Sequence, residues 1–311
     1  MKAAQIKEYG NVDALEIVDI QKPTAEKGQV LVAVKAASIN PFDTIVREGL
    51  MKDMIPLTLP VTLGGDIAGV VEAVGEGVEG INVGDSVYGQ ANVVAGNSGA
   101  FAEFAVTKSE QLARMPSSTD FTQAASLPLV GVSALQGLVE HLAIAAGQKL
   151  FIHGGAGGIG SVAIQIAKHL GAYVATTATG DGVSFVKSLG ADEVIDYKAE
   201  DFATKLHDFD AVFELAGGAE FDKCLAILKK GGRAVSMIAH ADEAKVAELG
   251  ITAISQQTHV TTEKLTELAK LVDQKVVTPQ IEKVYPLDQV KEAFTARESG
   301  TVKGKIVLQI S

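Results

Sequence analysis

The chain has 311 residues, of which 47% are hydrophobic, and a formal net charge of −11. This length predicts two domains that each bury a core, and the acidic balance argues against nucleic acid as a main partner. No apolar run approaches the length of a membrane span, and the N-terminus lacks the apolar core of a signal peptide. The single cysteine, Cys224, fits a reducing compartment, so we expect a cytoplasmic protein without a membrane partner.

The first third of the chain alternates apolar and polar residues between frequent glycines. Segments of this kind begin at Gln29, Asp66, Gly84 and Ala100. They predict short β-strands in a compact barrel-like or sandwich domain.

From residue 120 onward, apolar strands alternate with helical patterns, which predicts parallel crossovers. The predicted strands are Lys149–His153, Tyr173–Thr176, Glu193–Ile195, Ala211–Glu214 and Ala234–Ile238. After residue 275 the chain returns to short strands around one helix. We therefore predict a dinucleotide-binding Rossmann domain, 120–275, inserted into a mainly β catalytic domain formed by 1–119 and 276–311.

The run FIHGGAGGIGSVAIQIAKHLGA holds a phosphate-binding turn between a strand and a helix. Gly155, Gly157 and Gly160 fit the G-x-G-x-x-G spacing. Gly155 is expected to allow the tight exit from the strand, Gly157 the approach of a pyrophosphate, and Gly160 close packing of helix on strand. Backbone amides and the helix dipole would then attract the anion.

The end of the next strand indicates which dinucleotide is bound. Thr176 and Thr177 stand where an NAD site normally offers a carboxylate to the ribose. Hydroxyl groups without an acid favour NADP(H), because a carboxylate would repel the 2′-phosphate. No lysine or arginine follows before Lys187, however, and Asp181 could still reach the ribose.

Four motifs in this order resemble the medium-chain dehydrogenase/reductase superfamily along essentially the whole chain. They are INPFDTIVREG at Ile39, LGGDIAGVVEAVG at Leu63, GDSVYG at Gly84 and HGGAGGIG at His153. The chain looks most like the zinc-free, NADPH-dependent quinone oxidoreductases, the group that includes zeta-crystallin. The resemblance implies an α/β fold in which the Rossmann domain interrupts a GroES-like catalytic domain.

Zinc-dependent members of the superfamily hold a catalytic metal with a cysteine near the position of Asn40 and a histidine–glutamate pair near Gly65 and Asp66. This chain has neither feature, and its six histidines show no close ligand spacing, so we expect no metal. Without a Lewis acid, a quinone or a conjugated enone is the easier acceptor, because its own π-system spreads the negative charge.

The resemblance also implies roles for individual residues. Asn40 and Asp66 are the implied catalytic residues: Asn40 would donate a hydrogen bond to the substrate carbonyl or contact the nicotinamide ribose, although Asn40-Pro41 is also a turn signal. The spacing of the residues, rather than the resemblance, suggests that Asp43 forms a salt bridge with Arg47, one helical turn onward at i,i+4. Ile45 and Met51 replace tyrosines often found in the substrate pocket, which makes that pocket more apolar. The implied cofactor contacts are Ser133, Ala156, Gly157, Gly158, Ile159, Gly160, Tyr197, Gly217 and Ile238.

Other functions remain open at this point. One is a zinc-free alcohol dehydrogenase or enoyl-thioester reductase of the same superfamily, and another is an NADPH-binding protein with a structural, sensing or RNA-binding role. The resemblance further implies a homodimer, formed through an edge strand of the Rossmann sheet such as RAVSMIAH.

Overall fold

The computed structural model describes residues 1–310, without the side chain of Ala219. Contacts divide the chain into two compact units. Of the described residues, the first unit comprises Met1–Leu129, Val260–Gln274 and 279–310, and the second comprises Val130–His259 and Lys275–Thr278. Ser311, the last residue of the predicted catalytic domain, lies outside the described residues. The domain limits drawn from the sequence stay a prediction.

The chain forms β-strands and α-helices in both units. The strands are β1 Lys2–Ile6, β2 Leu15–Asp19, β3 Gln29–Ile39, β4 Val61–Thr62, β5 Asp66–Val74, β6 Ser86–Gln90, β7 Phe104–Lys108, β8 Leu112–Arg114, β9 Lys149–His153, β10 Tyr173–Ala178, β11 Glu193–Asp196, β12 Phe209–Glu214, β13 Leu228–Ser236, β14 Thr252–Ser255, β15 Ile281–Pro286 and β16 Lys305–Gln309. The α-helices are α1 Pro41–Glu48, α2 Phe121–Ala125, α3 Pro128–Leu135, α4 Gly158–His169, α5 Gly182–Ser188, α6 Phe221–Ala226, α7 Glu243–Leu249, α8 Thr262–Asp273 and α9 Val290–Glu298, and a π-helix spans Gln136–His141.

The first unit contains a sheet in the order β15-β16-β3-β5-β6-β8, with β7 also paired to β3, and a small sheet in the order β2-β1-β4. Among the strands that residues 1–310 form in these sheets, only β15 and β16 pair in parallel. The long strand β3 brings three chain segments together, because Ser38 pairs with Asp66 of β5 and Ile39 pairs with Ile306 of β16. The strands predicted in the first third are confirmed.

The second unit is built on a six-stranded parallel sheet in the order β11-β10-β9-β12-β13-β14. This is the strand order of a doubly wound dinucleotide-binding sheet. Strands β10 and β11 are added on one side of β9 and strands β12 to β14 on the other, so the order of strands reverses beside β9. Phe151, Phe202 and Cys224 lie in its core, and burial raises the pKa of the Cys224 thiol. The predicted Rossmann fold is confirmed.

The structure corrects the expected edge of this sheet. The segment RAVSMIAH contributes to β13, which lies between β12 and β14, so it is not an edge strand. The two edges are β11, Glu193–Asp196, and β14, Thr252–Ser255. The sequence analysis missed β14 because its four residues, none of them buried, carry little apolar periodicity. Among residues 1–310, no helix is both long and apolar enough to cross a bilayer.

Candidate functional site

The three glycines of the G-x-G-x-x-G motif have different surroundings. A Cβ on Gly155 would lie 2.1 Å from Oγ1 of Thr176, and a Cβ on Gly160 would lie 2.4 Å from the carbonyl oxygen of Gly154. A Cβ on Gly157 would meet nothing closer than 3.6 Å, and its φ of −74° suits any residue. The fold itself therefore requires Gly155 and Gly160, whereas it leaves the space at Gly157 open for a ligand.

The helix that follows begins without a side-chain cap. Gly157 is the N-cap of α4, its own amide donates to the carbonyl oxygen of Gly154 at 3.3 Å, and within residues 1–310 no side chain caps this end of the helix. The segment 156–159 is half-buried, whereas the flanking Gly155 and Gly160 are buried. An uncapped helix N-terminus beside a parallel sheet fits a pyrophosphate. The tight turn itself depends on Gly154, whose φ is +95°, rather than on Gly155 as the sequence analysis expected.

The two threonines at the end of β10 brace the glycine turn. Both are buried: Oγ1 of Thr176 donates to the carbonyl oxygen of Ile152 at 2.7 Å, and Oγ1 of Thr177 accepts from the amide of Gly154 at 2.9 Å. Their hydroxyl groups are thus bonded inside the unit. Tyr197, by contrast, is 53% exposed, which leaves its phenol available to an adenosine phosphate.

The residues predicted for the nicotinamide end fall into two groups. Gly217 and Ile238 lie together, because a Cβ on Gly217 would be 3.0 Å from Cγ2 of Ile238, whose side chain is 61% exposed. Ser133 is buried, and its hydroxyl lies 2.7 Å from Oγ1 of Thr258. The structure thus joins Gly217 with Ile238 at the carboxyl edge of the sheet and ties Ser133 to a threonine of its own unit.

Glu214 is a buried carboxylate that the sequence analysis missed. It accepts the amides of Ala216, at 2.8 Å, and Gly217, and also the hydroxyl of Ser236 at 2.8 Å. Ser236 in turn accepts the amide of Ile238 at 3.1 Å. Burial alone would raise the pKa of Glu214, but these hydrogen bonds and His153 outweigh it and lower the pKa. The Glu214 side chain therefore fixes the turns that carry Gly217 and Ile238. In the sequence, the feature that could have identified Glu214 is an acidic residue at the end of an apolar strand.

The predicted catalytic pair lies in the first unit. Asn40 follows β3 and Asp66 begins β5, and their side chains meet because Nδ2 of Asn40 donates to Oδ2 of Asp66 at 2.9 Å. The other oxygen of Asp66 accepts from Nε2 of Gln90 at 3.0 Å. Asn40 is 2% exposed and Asp66 is fully buried. Burial raises the pKa of Asp66, opposed mainly by the positive charge of Lys305.

The predicted ion pair between Asp43 and Arg47 is wrong. Asp43 points back along α1 and accepts the backbone amide of Asn40 at 2.7 Å, as an acid in the first turn of a helix commonly does. Burial raises the pKa of this carboxyl to about 7. Arg47 instead donates from Nη1 to Glu298 at 2.7 Å and from Nε to the carbonyl oxygen of Gly10 at 3.1 Å.

Lys305 is a second residue that the sequence analysis missed. It begins β16, is 4% exposed, and donates from Nζ to Oδ1 of Asn40 and, at 2.9 Å, to the carbonyl oxygen of Ile39. Its Nζ lies 4.0 Å from Oδ2 of Asp66. In the sequence, the feature that could have identified Lys305 is its position directly before the apolar run IVL at residues 306–308.

Two further features bear on the chemistry of the first unit. Met51 lines a small apolar cavity with Val46, Ile55 and Leu57, and Ile45 is half-buried. In the part of the chain that the structure describes, no three histidine, cysteine or acidic side chains are grouped so that they could hold a metal ion.

Comparison with known proteins gives two family matches and several full-length relatives. The family described as "Alcohol dehydrogenase GroES-like domain" matches residues 26–117, and "Zinc-binding dehydrogenase" matches residues 189–308. A 2-methylene-furan-3-one reductase from Solanum lycopersicum and a chloroplastic NADPH-dependent alkenal/one oxidoreductase from Arabidopsis thaliana are each 34% identical, over 99% of this chain and 79% of theirs. The solved quinone oxidoreductase from Coxiella burnetii superposes with a TM-score of 0.93 at 33% identity, covering 100% of this chain and 99% of its own.

Proposed function

The chain belongs to the medium-chain dehydrogenase/reductase superfamily, among its quinone and alkenal/one oxidoreductases, and on that premise we propose that it reduces quinones or conjugated enones with NADPH, without a metal. The observation that carries the proposal is the open space at Gly157 beside an uncapped helix N-terminus. When bound, NADPH would supply a hydride to the β-carbon of an enone; the carbonyl oxygen would gain the negative charge, and solvent water would supply the proton that completes the saturated product.

Cofactor binding is assigned to the second unit. The amides of Gly158, Ile159 and Gly160, with Ala156 and the open space at Gly157 beside them, would hold the pyrophosphate at the start of α4. The exposed Tyr197 would contact the adenosine phosphate, and Gly217 with Ile238 would support the nicotinamide half. Thr176 and Thr177 would contribute by holding the turn in shape, and Ser133 by packing behind the nicotinamide.

The acceptor needs a hydrogen-bond donor for the oxygen that gains charge. Asn40 suits this task, because its Nδ2 makes one bond, to Asp66, among the described residues and retains a second hydrogen. Asp66 would hold the amide rather than touch the acceptor. An apolar acceptor is favoured by Ile45 and Met51.

Partners and location are also part of the proposal. We assign a homodimer formed along β14, one of the two edge strands of the sheet, because its outer edge has no strand partner within residues 1–310 and it pairs with β13, which holds the first half of the segment first expected at the interface. The net charge of −11 disfavours nucleic acid, and a single buried cysteine suits a reducing compartment such as the cytoplasm. We assign no membrane partner.

The test is turnover by chelator-treated protein with NADPH and four acceptor classes. We expect NADPH oxidation with enones or quinones, and much slower reaction with acyl thioesters or, in reverse, with alcohols and NADP. Tight NADPH binding without turnover of any acceptor would replace the proposal with a binding protein. Activity that requires a stoichiometric transition metal would contradict it.

A further inference from the structure

The buried polar cluster of the first unit is built where three strands meet. Asn40 lies at the end of β3, Asp66 at the start of β5 and Lys305 at the start of β16. Because β3 is antiparallel to both β5 and β16, these three side chains share one end of the sheet. None is more than 4% exposed, so their contacts are made away from water.

The charges on either side decide the orientation of the Asn40 amide. Nζ of Lys305 donates to its oxygen, while Oδ2 of Asp66 accepts from its nitrogen at 2.9 Å. Rotating the amide by half a turn would set an NH₂ group against an ammonium and an oxygen against a carboxylate. Both contacts would be repulsive in a buried site, so one orientation is strongly favoured.

Each partner of Asn40 is also held by other groups. Asp66 also accepts from Gln90 at 3.0 Å and from the backbone amide of Leu129 at 3.2 Å, and Lys305 also donates to the carbonyl oxygen of Ile39 at 2.9 Å. Burial lowers the pKa of Lys305 to about 8, against the opposing effect of Asp66. The amide is therefore clamped by two groups that cannot easily turn away.

We propose that Lys305 is a positioning residue for acceptor reduction: with Asp66 it fixes the Asn40 amide so that the second hydrogen on Nδ2 is available to the acceptor oxygen. This inference rests on the proposed function, because it requires Asn40 to contact the acceptor. In this role Lys305 touches neither acceptor nor cofactor, and its effect on the acceptor passes through Asn40. Its loss should lower kcat and kcat/KM together, because the contact that it secures strengthens in the transition state.

The test compares Lys305→Met and Lys305→Gln with wild type. In Lys305→Met the hydrogen bond to the Asn40 oxygen is lost, because the methionine side chain has no donor. The kcat for enone reduction should then fall about 100-fold, the usual cost of a misplaced reacting group. Gln keeps a donor and should lose only about tenfold. The Kd for NADPH, measured by fluorescence titration, should stay within about twofold of wild type in both. Lys303→Met, two residues earlier, is the matched control: Lys303 is half-buried, its Nζ lies 3.7 Å from Oε2 of Glu282, and the variant should keep wild-type kcat.

A double-variant cycle separates positioning from a structural role. If Lys305 acts through Asn40, Asn40→Ala/Lys305→Met should be no slower than Asn40→Ala alone, within about twofold. Additive losses, or a kcat of Lys305→Gln as low as that of Lys305→Met together with weakened NADPH binding, would overturn the inference. If Lys305→Met does not fold, the cycle is run with Lys305→Gln. Failure of the proposed function is distinguished because wild type itself would then reduce no acceptor.

Discussion

Single glycines of one motif serve different purposes in this protein. Gly155 and Gly160 are required by contacts inside the chain, with Thr176 and Gly154, whereas Gly157 faces open space. The spacing of the motif was readable from the sequence, but the division of tasks was not. It depends on which neighbour each absent Cβ would meet, and that neighbour comes from another strand or turn.

Substituting Gly157 separates ligand binding from folding. Gly157→Ala should change the free energy of unfolding by less than about 1 kcal/mol, because its φ is ordinary and its Cβ has room. Its affinity for NADPH should fall at least about tenfold, since the methyl group occupies the pyrophosphate approach, and Gly157→Val should abolish binding. Titration calorimetry and thermal denaturation measure the two effects.

Gly160→Ala provides the matched control. The same methyl group would lie 2.4 Å from the carbonyl oxygen of Gly154, so this variant should lose about 1–3 kcal/mol of stability or more. Wild-type NADPH affinity in Gly157→Val would contradict the assignment of the phosphate site.

Glu214 is predicted to stabilise the fold in a pH-dependent manner. Its folded-state pKa lies below the ordinary 4.5, so its contribution is fully present above that pH and is lost as the pH falls through the folded-state pKa. Glu214→Gln should therefore cost about 2 kcal/mol at pH 7 and progressively less below pH 4.5, in urea unfolding measured across pH. Glu267→Gln, which changes an exposed glutamate, is the control: it should leave the free energy of unfolding unchanged at pH 7 and below pH 4.5. A cost for Glu214→Gln that does not vary with pH would refute the charged role.

Strands and helices with strong periodicity were predictable, and weak ones were not. The parallel strands from β9 to β12 were found because their apolar runs are flanked by glycine or by helical patterns. β14 was missed, and with it the position of β13 inside the sheet, because Thr252–Ser255 has only two apolar residues. In α1 the i,i+4 rule suggested a pair between Asp43 and Arg47, but capping of the helix by Asp43 took precedence.

The identity of the edge strand leads to a prediction about assembly. Thr252→Lys places a charge on β14, and charged side chains on an edge strand oppose pairing with a second sheet. The dissociation constant of the homodimer should rise at least about tenfold, as measured by sedimentation equilibrium. Thr204→Lys, an exposed threonine elsewhere in the same unit, should leave it unchanged. A wild-type protein that sediments as a monomer at micromolar concentration would refute the dimer itself.

At the scale of the whole molecule, the fold class and the kind of cofactor could be predicted from the sequence, because they rest on local patterns and on motif order. The buried network of Asn40, Asp66 and Lys305 could not, since Lys305 is separated from Asn40 by 265 residues and meets it only through strand pairing. Long-range polar contacts of this kind leave no periodic signal in a single sequence.

Ligand-induced stabilisation should be confined to one unit. The two units have separate hydrophobic cores, and the glycine turn belongs to the second. NADPH at about 100 times its Kd should add about 2.7 kcal/mol to the unfolding free energy of that unit. Hydrogen exchange should slow in β9, β10 and α4. Slower hydrogen exchange on NADPH binding in the strands of the first unit, with no change in α4, would contradict the placement of the cofactor.

The most direct measurement uses NADPH carrying deuterium at the transferable C4 position, an enone acceptor, and protein freed of metal by a chelator. We predict one deuterium atom on the β-carbon of the saturated product, detected by mass spectrometry, and none when Gly157→Val replaces wild type. A product without deuterium, or a reaction restored only by added zinc, would contradict direct metal-free hydride transfer.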